Sequence, residues 1–186
     1  MKIAGRHLAT CFMVADMGTR FYDDGVHTHA RKEIVFGWEL VDRLRQAGPT
    51  RGARLQIVES YAWRISPRSK LRRHLEAWLN AGVPPMFNIF SLVGRSCVLE
   101  LERGERNGRR WHYVARIAPS PHNIDWAPTA PTIALSLTAD RFDPIAFHRL
   151  SDHLRARIIE APEWSALHGA APPLPGEDVS SDHIPY

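Results

Sequence analysis

Hydrophobic and polar positions along this chain follow two periods, one of two residues and one close to four. Residues Leu8–Met17 form a run of mixed small and apolar side chains and read as a strand. Gly18-Thr19-Arg20 followed by Asp23-Asp24-Gly25 marks a turn region. In Arg31–Leu40, Ile34, Phe36 and Trp38 alternate on one face, and in Ala53–Trp63 Leu55, Ile57, Tyr61 and Trp63 are in phase, which predicts second and third strands separated by a polar loop with Gly48-Pro49. The period then changes. Leu71, Leu75, Trp78 and Leu79 fall at i, i+4, i+7 and i+8, a single apolar helical stripe. Ser66-Pro67 is the expected helix start, and Gly82 with Pro84-Pro85 the stop. Ser96–Leu101 and Arg109–Ala118 return to strand character on either side of Asn107-Gly108, a two-residue hairpin signal.

The element order is therefore strand, strand, strand, helix, strand, strand. That is the order of the OB-fold, a five-stranded barrel with a helix between strands three and four. The expected fold class is mainly β: such a barrel over residues 1–120, then a segment over 121–168, then a flexible acidic tail over 169–186. The middle segment comprises a Pro-rich crossing (Pro119–Pro131) and a C-terminal helix over Pro144–Ile159, with Phe147, Leu150, Leu154 and Ile158 at helical spacing and Pro162 ending it.

Composition narrows the functional classes. A 186-residue chain with 44% hydrophobic and 24% charged residues has enough apolar material for one packed domain with appendages. Apolar runs are too short to span a bilayer, and the arginine and histidine in Met1-Lys2-Ile3-Ala4-Gly5-Arg6-His7 interrupt any signal-peptide core, so the expected setting is cytoplasmic and off the membrane. Cys11 and Cys97 lie in apolar strands and are expected to be buried free thiols. The net charge is +4, but Glu177, Asp178 and Asp182 stand in a terminal stretch without Lys or Arg, so the body is more basic than the mean. A basic body with an acidic tail suits a polyanion-binding domain.

Two basic clusters lie beside aromatic residues. The first is Arg64, Arg68, Lys70, Arg72, Arg73 and His74, with no acid between Glu59 and Glu76, and Tyr61 and Trp63 run into it. The second, Arg103, Arg106, Arg109 and Arg110, surrounds the Asn107-Gly108 hairpin, and Trp111 and Tyr113 run out of it. Single strands are held by basic grooves that track phosphates and by aromatic platforms for bases. Each cluster also has a plain reading: a solvated helix face for the first, an ordinary soluble hairpin for the second, and core packing for any one aromatic.

Asp23, Asp24, His27 and His29 could form a carboxylate–histidine site, but no second ligand cluster follows, so no metal and no cofactor are expected. Motifs for serine hydrolases, phosphate loops or zinc peptidases are absent. The chain ends in Ser181-Asp182-His183-Ile184-Pro185-Tyr186 after the spacer Ala170-Ala171-Pro172-Pro173-Leu174-Pro175-Gly176. An aliphatic, a proline, an aromatic and a free carboxylate at the tip of a proline-rich spacer suit capture in a pocket rimmed by basic residues. Asp182, Ile184, Pro185 and Tyr186 are the expected partner-binding residues.

This tip resembles the tail of bacterial single-stranded-DNA-binding proteins, which end in acids followed by Ile-Pro-Phe; here Tyr186 replaces the phenylalanine and His183 an acid. The body resembles a group of small phage and prophage replication-associated proteins taken to be OB-folds. The resemblance is carried by Asp16-Met17-Gly18-Thr19, Phe36-Gly37-Trp38-Glu39-Leu40, Lys70-Leu71-Arg72-Arg73-His74-Leu75-Glu76-Ala77-Trp78, Leu92-Val93-Gly94-Arg95-Ser96-Cys97, Asn107-Gly108 with Tyr113, Leu154-Arg155-Ala156-Arg157-Ile158-Ile159 and Pro162-Glu163-Trp164. It departs after Trp78, where Leu79-Asn80-Ala81-Gly82 replaces a basic, glycine-containing stretch. The resemblance implies sequence-tolerant binding of single-stranded DNA in phage replication or recombination, without catalysis, and with a tail that recruits partner proteins. Two alternatives stay open at this point: an adaptor or inhibitor with the same fold and protein contacts only, and a small metal-dependent nuclease using Asp23, Asp24, His27 and His29. A homo-oligomer is compatible with each.

Overall fold

The computed structural model describes residues 3–23, 25–46, 48–106, 108–121 and 124–169, without the side chains of Arg106 and Arg109. Strands β1 (Gly5–Asp23), β2 (Thr28–Leu44) and β3 (Arg54–Ala62) precede helix α1 (Lys70–Leu79) and a 3-10 turn at Ile89–Leu92. Then follow β4 (Ser96–Arg106), β5 (Arg109–Pro119), β6 (Ile133–Leu135) and the short helices α2 (Pro144–His148), α3 (Asp152–Ile159) and α4 (Pro162–Leu167). The protein is mainly β: one sheet in the order β3-β2-β1-β4-β5, antiparallel along that path, with β6 added parallel to β1.

β1 is the axis of the sheet because its residues are apolar on both sides. Ala9, Cys11 and Val14 join Ile34, Phe36 and Trp38 of β2 in a core covered by α1, β4 and β5, where Leu71, Leu75 and Trp78 fill the centre. The opposite faces, Phe12, Met13, Ala15, Met17 and Val35, bury against β6 and α2–α4 through Ile133, Leu135, Phe147, Leu150, Leu154 and Ile158. Sharing the strand between two cores requires both of its edges. Residues 5–10 pair with β4, residues 13–15 with β6, and β2 runs along the other edge. The thiols of Cys11 and Cys97 are free and buried.

The expected barrel is not closed. β3 and β5 are the two ends of the sheet, and α1 sits between them. Side chains satisfy backbone groups that direct pairing of these strands would otherwise use. Glu59 Oε2 on β3 accepts from the Val114 amide at 3.3 Å, and His74 Nε2 on α1 donates to the Ala115 carbonyl at 3.2 Å. That carbonyl belongs to a β-bulge, since Glu100 pairs with Arg116 but Leu101 with Val114, leaving Ala115 without a partner on β4. The bulge also reverses the phase of β5. Strict alternation would place Trp111 and Tyr113 on the same face as Ile117; instead Val114 and Ile117 are both buried and Trp111 is exposed.

Three local expectations are corrected. Helix α1 begins after Ser69, whose Oγ accepts from the Arg72 amide, while Ser66–Ser69 form a preceding turn. The single C-terminal helix is three: Arg149–Ser151 interrupts it, and Pro162 opens α4, where a missing amide costs nothing. Gly18-Thr19-Arg20 lies inside β1 as a bulge. Gly18 has φ +69°, and a Cβ there would stand 2.5 Å from that of Ala161, so only glycine lets α4 come this close. Glu163 completes the latch, accepting from the Thr19 amide at 2.8 Å and its hydroxyl at 2.7 Å. Among the described residues no helix is long and apolar enough to cross a membrane.

Candidate nucleic-acid interface

Beyond Ala62 the chain stays on β2 for one more bond, from the Trp63 amide to the Lys32 carbonyl at 2.7 Å, and then folds back through the Ser66–Ser69 turn into α1. This fold-back walls off a cleft of about 750 Å³ between the β1–β2 hairpin, the end of β3 and the N-terminus of α1. Arg31, Lys32, Arg64, Arg68 and Lys70 line it, and among the described residues no carboxylate does. The amino end of α1 faces the same space and adds the positive end of its dipole. A second cleft of about 530 Å³ lies between α1 and β5, lined by Arg73, Tyr113 and Arg116 and by one carboxylate, Glu102, among others. Lys70 borders both clefts. Its ammonium is 2.6 Å from Glu59 Oε1, and stands 5.5 and 5.7 Å from the ring centres of Tyr61 and Tyr113.

The first basic cluster divides by pairing. Arg64, Arg68 and Arg73 are exposed and have no carboxylate partner among the described residues. Lys70 is committed to Glu59, and Arg72 to Glu76 one turn along the helix at 2.8 Å. In the second cluster Arg110 is paired across the strands, and neighbouring carboxylates of β4 face β5. Glu105 stands opposite Arg110 and bonds it at 2.8 Å; Glu102 stands opposite Tyr113 and accepts its hydroxyl proton at 2.7 Å; Glu100 stands opposite Arg116 at 3.8 Å. Arg103 is exposed and opposite His112. The backbones of Arg106 and Arg109 stand opposite each other beside the turn.

The aromatics also part company. Tyr61 is 4% exposed, edge-on to Phe36, and belongs to the core, so it is not a stacking platform. Its hydroxyl meets His74 Nδ1 at 3.0 Å. Because the Ala115 carbonyl can only accept, the proton of neutral His74 sits on Nε2, and Nδ1 accepts from Tyr61. Burial first, then the Lys70 ammonium, holds the His74 pKa down to about 4. Trp63 is partly packed, with the Lys32 ammonium 4.6 Å over its ring and Phe90 at its edge. Trp111, 45% exposed, lies flat on Gly104: a Cβ at that glycine would come within 2.6 Å of the indole. Tyr113 is half-buried, beside the second cleft.

The cleft contains residues that the sequence reading left out: Tyr22, Arg31 and Lys32 of the β1–β2 hairpin. Two adjacent aromatics, Phe21-Tyr22, immediately before Asp23-Asp24-Gly25 were the available signal, masked by taking the turn to begin at Gly18. In the conceivable metal set, Asp23 accepts from the Gly25 amide at 2.7 Å and the rings of His27 and His29 are 6.1 Å apart, while Asp24 lies outside the described residues. No group of three or more metal-ligating side chains occurs among the described residues. Asp182, Ile184, Pro185 and Tyr186 also lie outside them. Set against known protein families, curated proteins and solved structures, the chain matches none.

Proposed function

We propose that this protein binds single-stranded DNA with little sequence preference, through the cleft at the amino end of α1 and its continuation along β5. The observation that carries the proposal is the pairing pattern. Arg64, Arg68 and Arg73 are exposed cations without a carboxylate partner among the described residues; Arg64 and Arg68 line the larger cleft, where no described carboxylate does, and Arg73 lines the second. Guanidinium groups already committed to carboxylates gain little from a phosphate; uncommitted ones release counterions from the DNA. Exposed Trp111 and half-buried Tyr113 flank the route as surfaces for bases.

β1 is shared by β2 and β4, and a helix lies between β3 and β4 and fills the space between the sheet ends. These features support an opened relative of the OB-fold. The acidic tail, with Asp182, Ile184, Pro185 and Tyr186, would recruit replication or recombination proteins, in keeping with a phage protein acting in the host cytoplasm.

The test is anisotropy of a labelled oligo(dT) at low and moderate salt, with duplex DNA as competitor. Tight binding that weakens steeply with salt and resists duplex competition is the expected result. Absence of binding at micromolar protein would overturn the proposal and favour an adaptor that makes protein contacts only.

A further inference from the structure

The β1–β2 hairpin outruns the rest of the sheet. β3 pairs with β2 only as far as Glu33, yet the hairpin register continues through Thr19 opposite Lys32 to Asp23 opposite Thr28. The result is a two-stranded finger beside the cleft. Successive side chains on a strand point to opposite faces, and of Phe21 and Tyr22 it is Tyr22 that lines the cleft.

Tyr22 is held in place from two sides. Its hydroxyl donates to Glu33, a carboxylate 2% exposed, and accepts from Arg31 Nη2 at 2.9 Å. The Arg31 guanidinium lies 4.7 Å from the ring centre. Glu33 is fixed in turn by Arg31 and by Arg157 of α3, whose Nη2 is 2.5 Å away. Tyr22 is nonetheless 42% exposed and lines the cleft. An aromatic plane backed by a guanidinium, immobilised before any ligand arrives and adjoining unpaired arginines, has the features of a preorganised stacking surface.

We infer that Tyr22 is the base-stacking platform of the cleft, receiving a nucleobase on the face away from Arg31 and thereby selecting unpaired strands. The inference rests on the single-strand reading above. A base within a duplex is already stacked on both sides and cannot lie on the ring, whereas an unpaired base can. Arg64 and Arg68 would hold the phosphates that flank it.

The experiment compares oligo(dT) with an abasic oligonucleotide of the same length, using full-length protein. Tyr22→Ala should weaken oligo(dT) binding by about 5- to 150-fold, the range of one lost stacking contact. It should leave abasic binding unchanged, and Tyr22→Phe, which keeps the ring, should retain oligo(dT) binding. If Tyr22→Ala melts early, Tyr22→Leu is read in its place. Equal losses on both strands, or no loss on either, would overturn the inference. Arg64→Ala reports separately on the underlying function, since removing a phosphate contact weakens both strands whatever Tyr22 does. Failure of the wild-type protein to bind either strand would overturn the single-strand reading itself.

Discussion

The cleft at the start of α1 and the β4–β5 hairpin are built from the same materials, arginines beside aromatic rings, and fold into opposite situations. In the hairpin, each of Glu100, Glu102 and Glu105 stands directly across from a cation or a phenol. In the cleft, Arg64 and Arg68 stand on walls without a carboxylate among the described residues. The aromatics reverse as well. Tyr61, next to the first cluster, is core, while Trp111, next to the hairpin cluster, is exposed. A basic stretch is thus a candidate anion site only where the fold leaves it unpaired, and an aromatic is a candidate platform only where the strand phase turns it outward.

Several substitutions would break or sharpen this contrast. The largest effect is expected at Tyr61: replacing this core ring with alanine should cost about 3–5 kcal/mol, seen as a lowered denaturant midpoint. A loss below about 1 kcal/mol would return Tyr61 to the surface. Next comes His74, which is neutral in the folded protein down to about pH 4 but titrates near 6.5 in the unfolded chain. Between those values the unfolded chain binds the extra proton, so stability is full above the unfolded pKa and falls as pH drops towards 4, by roughly 3 kcal/mol. Glu33 and Glu163 titrate in the wild type and in His74→Gln alike. The difference between their melting curves from pH 7 to pH 4.5 therefore isolates His74, and parallel curves would contradict its buried, neutral state. Trp111→Ala should cost less than about 1.5 kcal/mol, because the indole covers one glycine and is otherwise open. Arg110→Ala removes only an exposed ion pair and should change stability by less than about 1 kcal/mol. A larger loss would mean the hairpin ladder is structural.

The sequence was legible where hydrophobic periodicity was strong. Five long strands, the Leu71–Leu75–Trp78 stripe and the buried thiols are present as expected, though β1 and β2 run past their expected bounds and β5 changes phase at its bulge. β6 was not legible: three residues after a proline-rich crossing carry no period, and only the unpaired upper edge of β1 makes them a strand. The bulge at Ala115 was hidden because its cause, the reach of His74 across to that carbonyl, is tertiary. The partners of the hairpin's carboxylates could have been read. A two-residue Asn107-Gly108 turn fixes Glu105 opposite Arg110 and Glu102 opposite Tyr113 by counting alone. Nothing comparable marked the cleft, whose open cations depend on where Ser66–Ser69 folds back.

The most direct measurement is the slope of log affinity for oligo(dT) against log salt, in three proteins: wild type, Arg64→Ala/Arg68→Ala/Arg73→Ala, and Arg103→Ala/Arg110→Ala. With about 0.7 counterions released per phosphate contact to a single strand, the cleft variant should lose about 2 from the slope. The hairpin variant should lose less than half as much, because Arg110 is already committed to Glu105. Equal slopes in the wild type and the cleft variant, or the larger loss in the hairpin variant, would contradict the account.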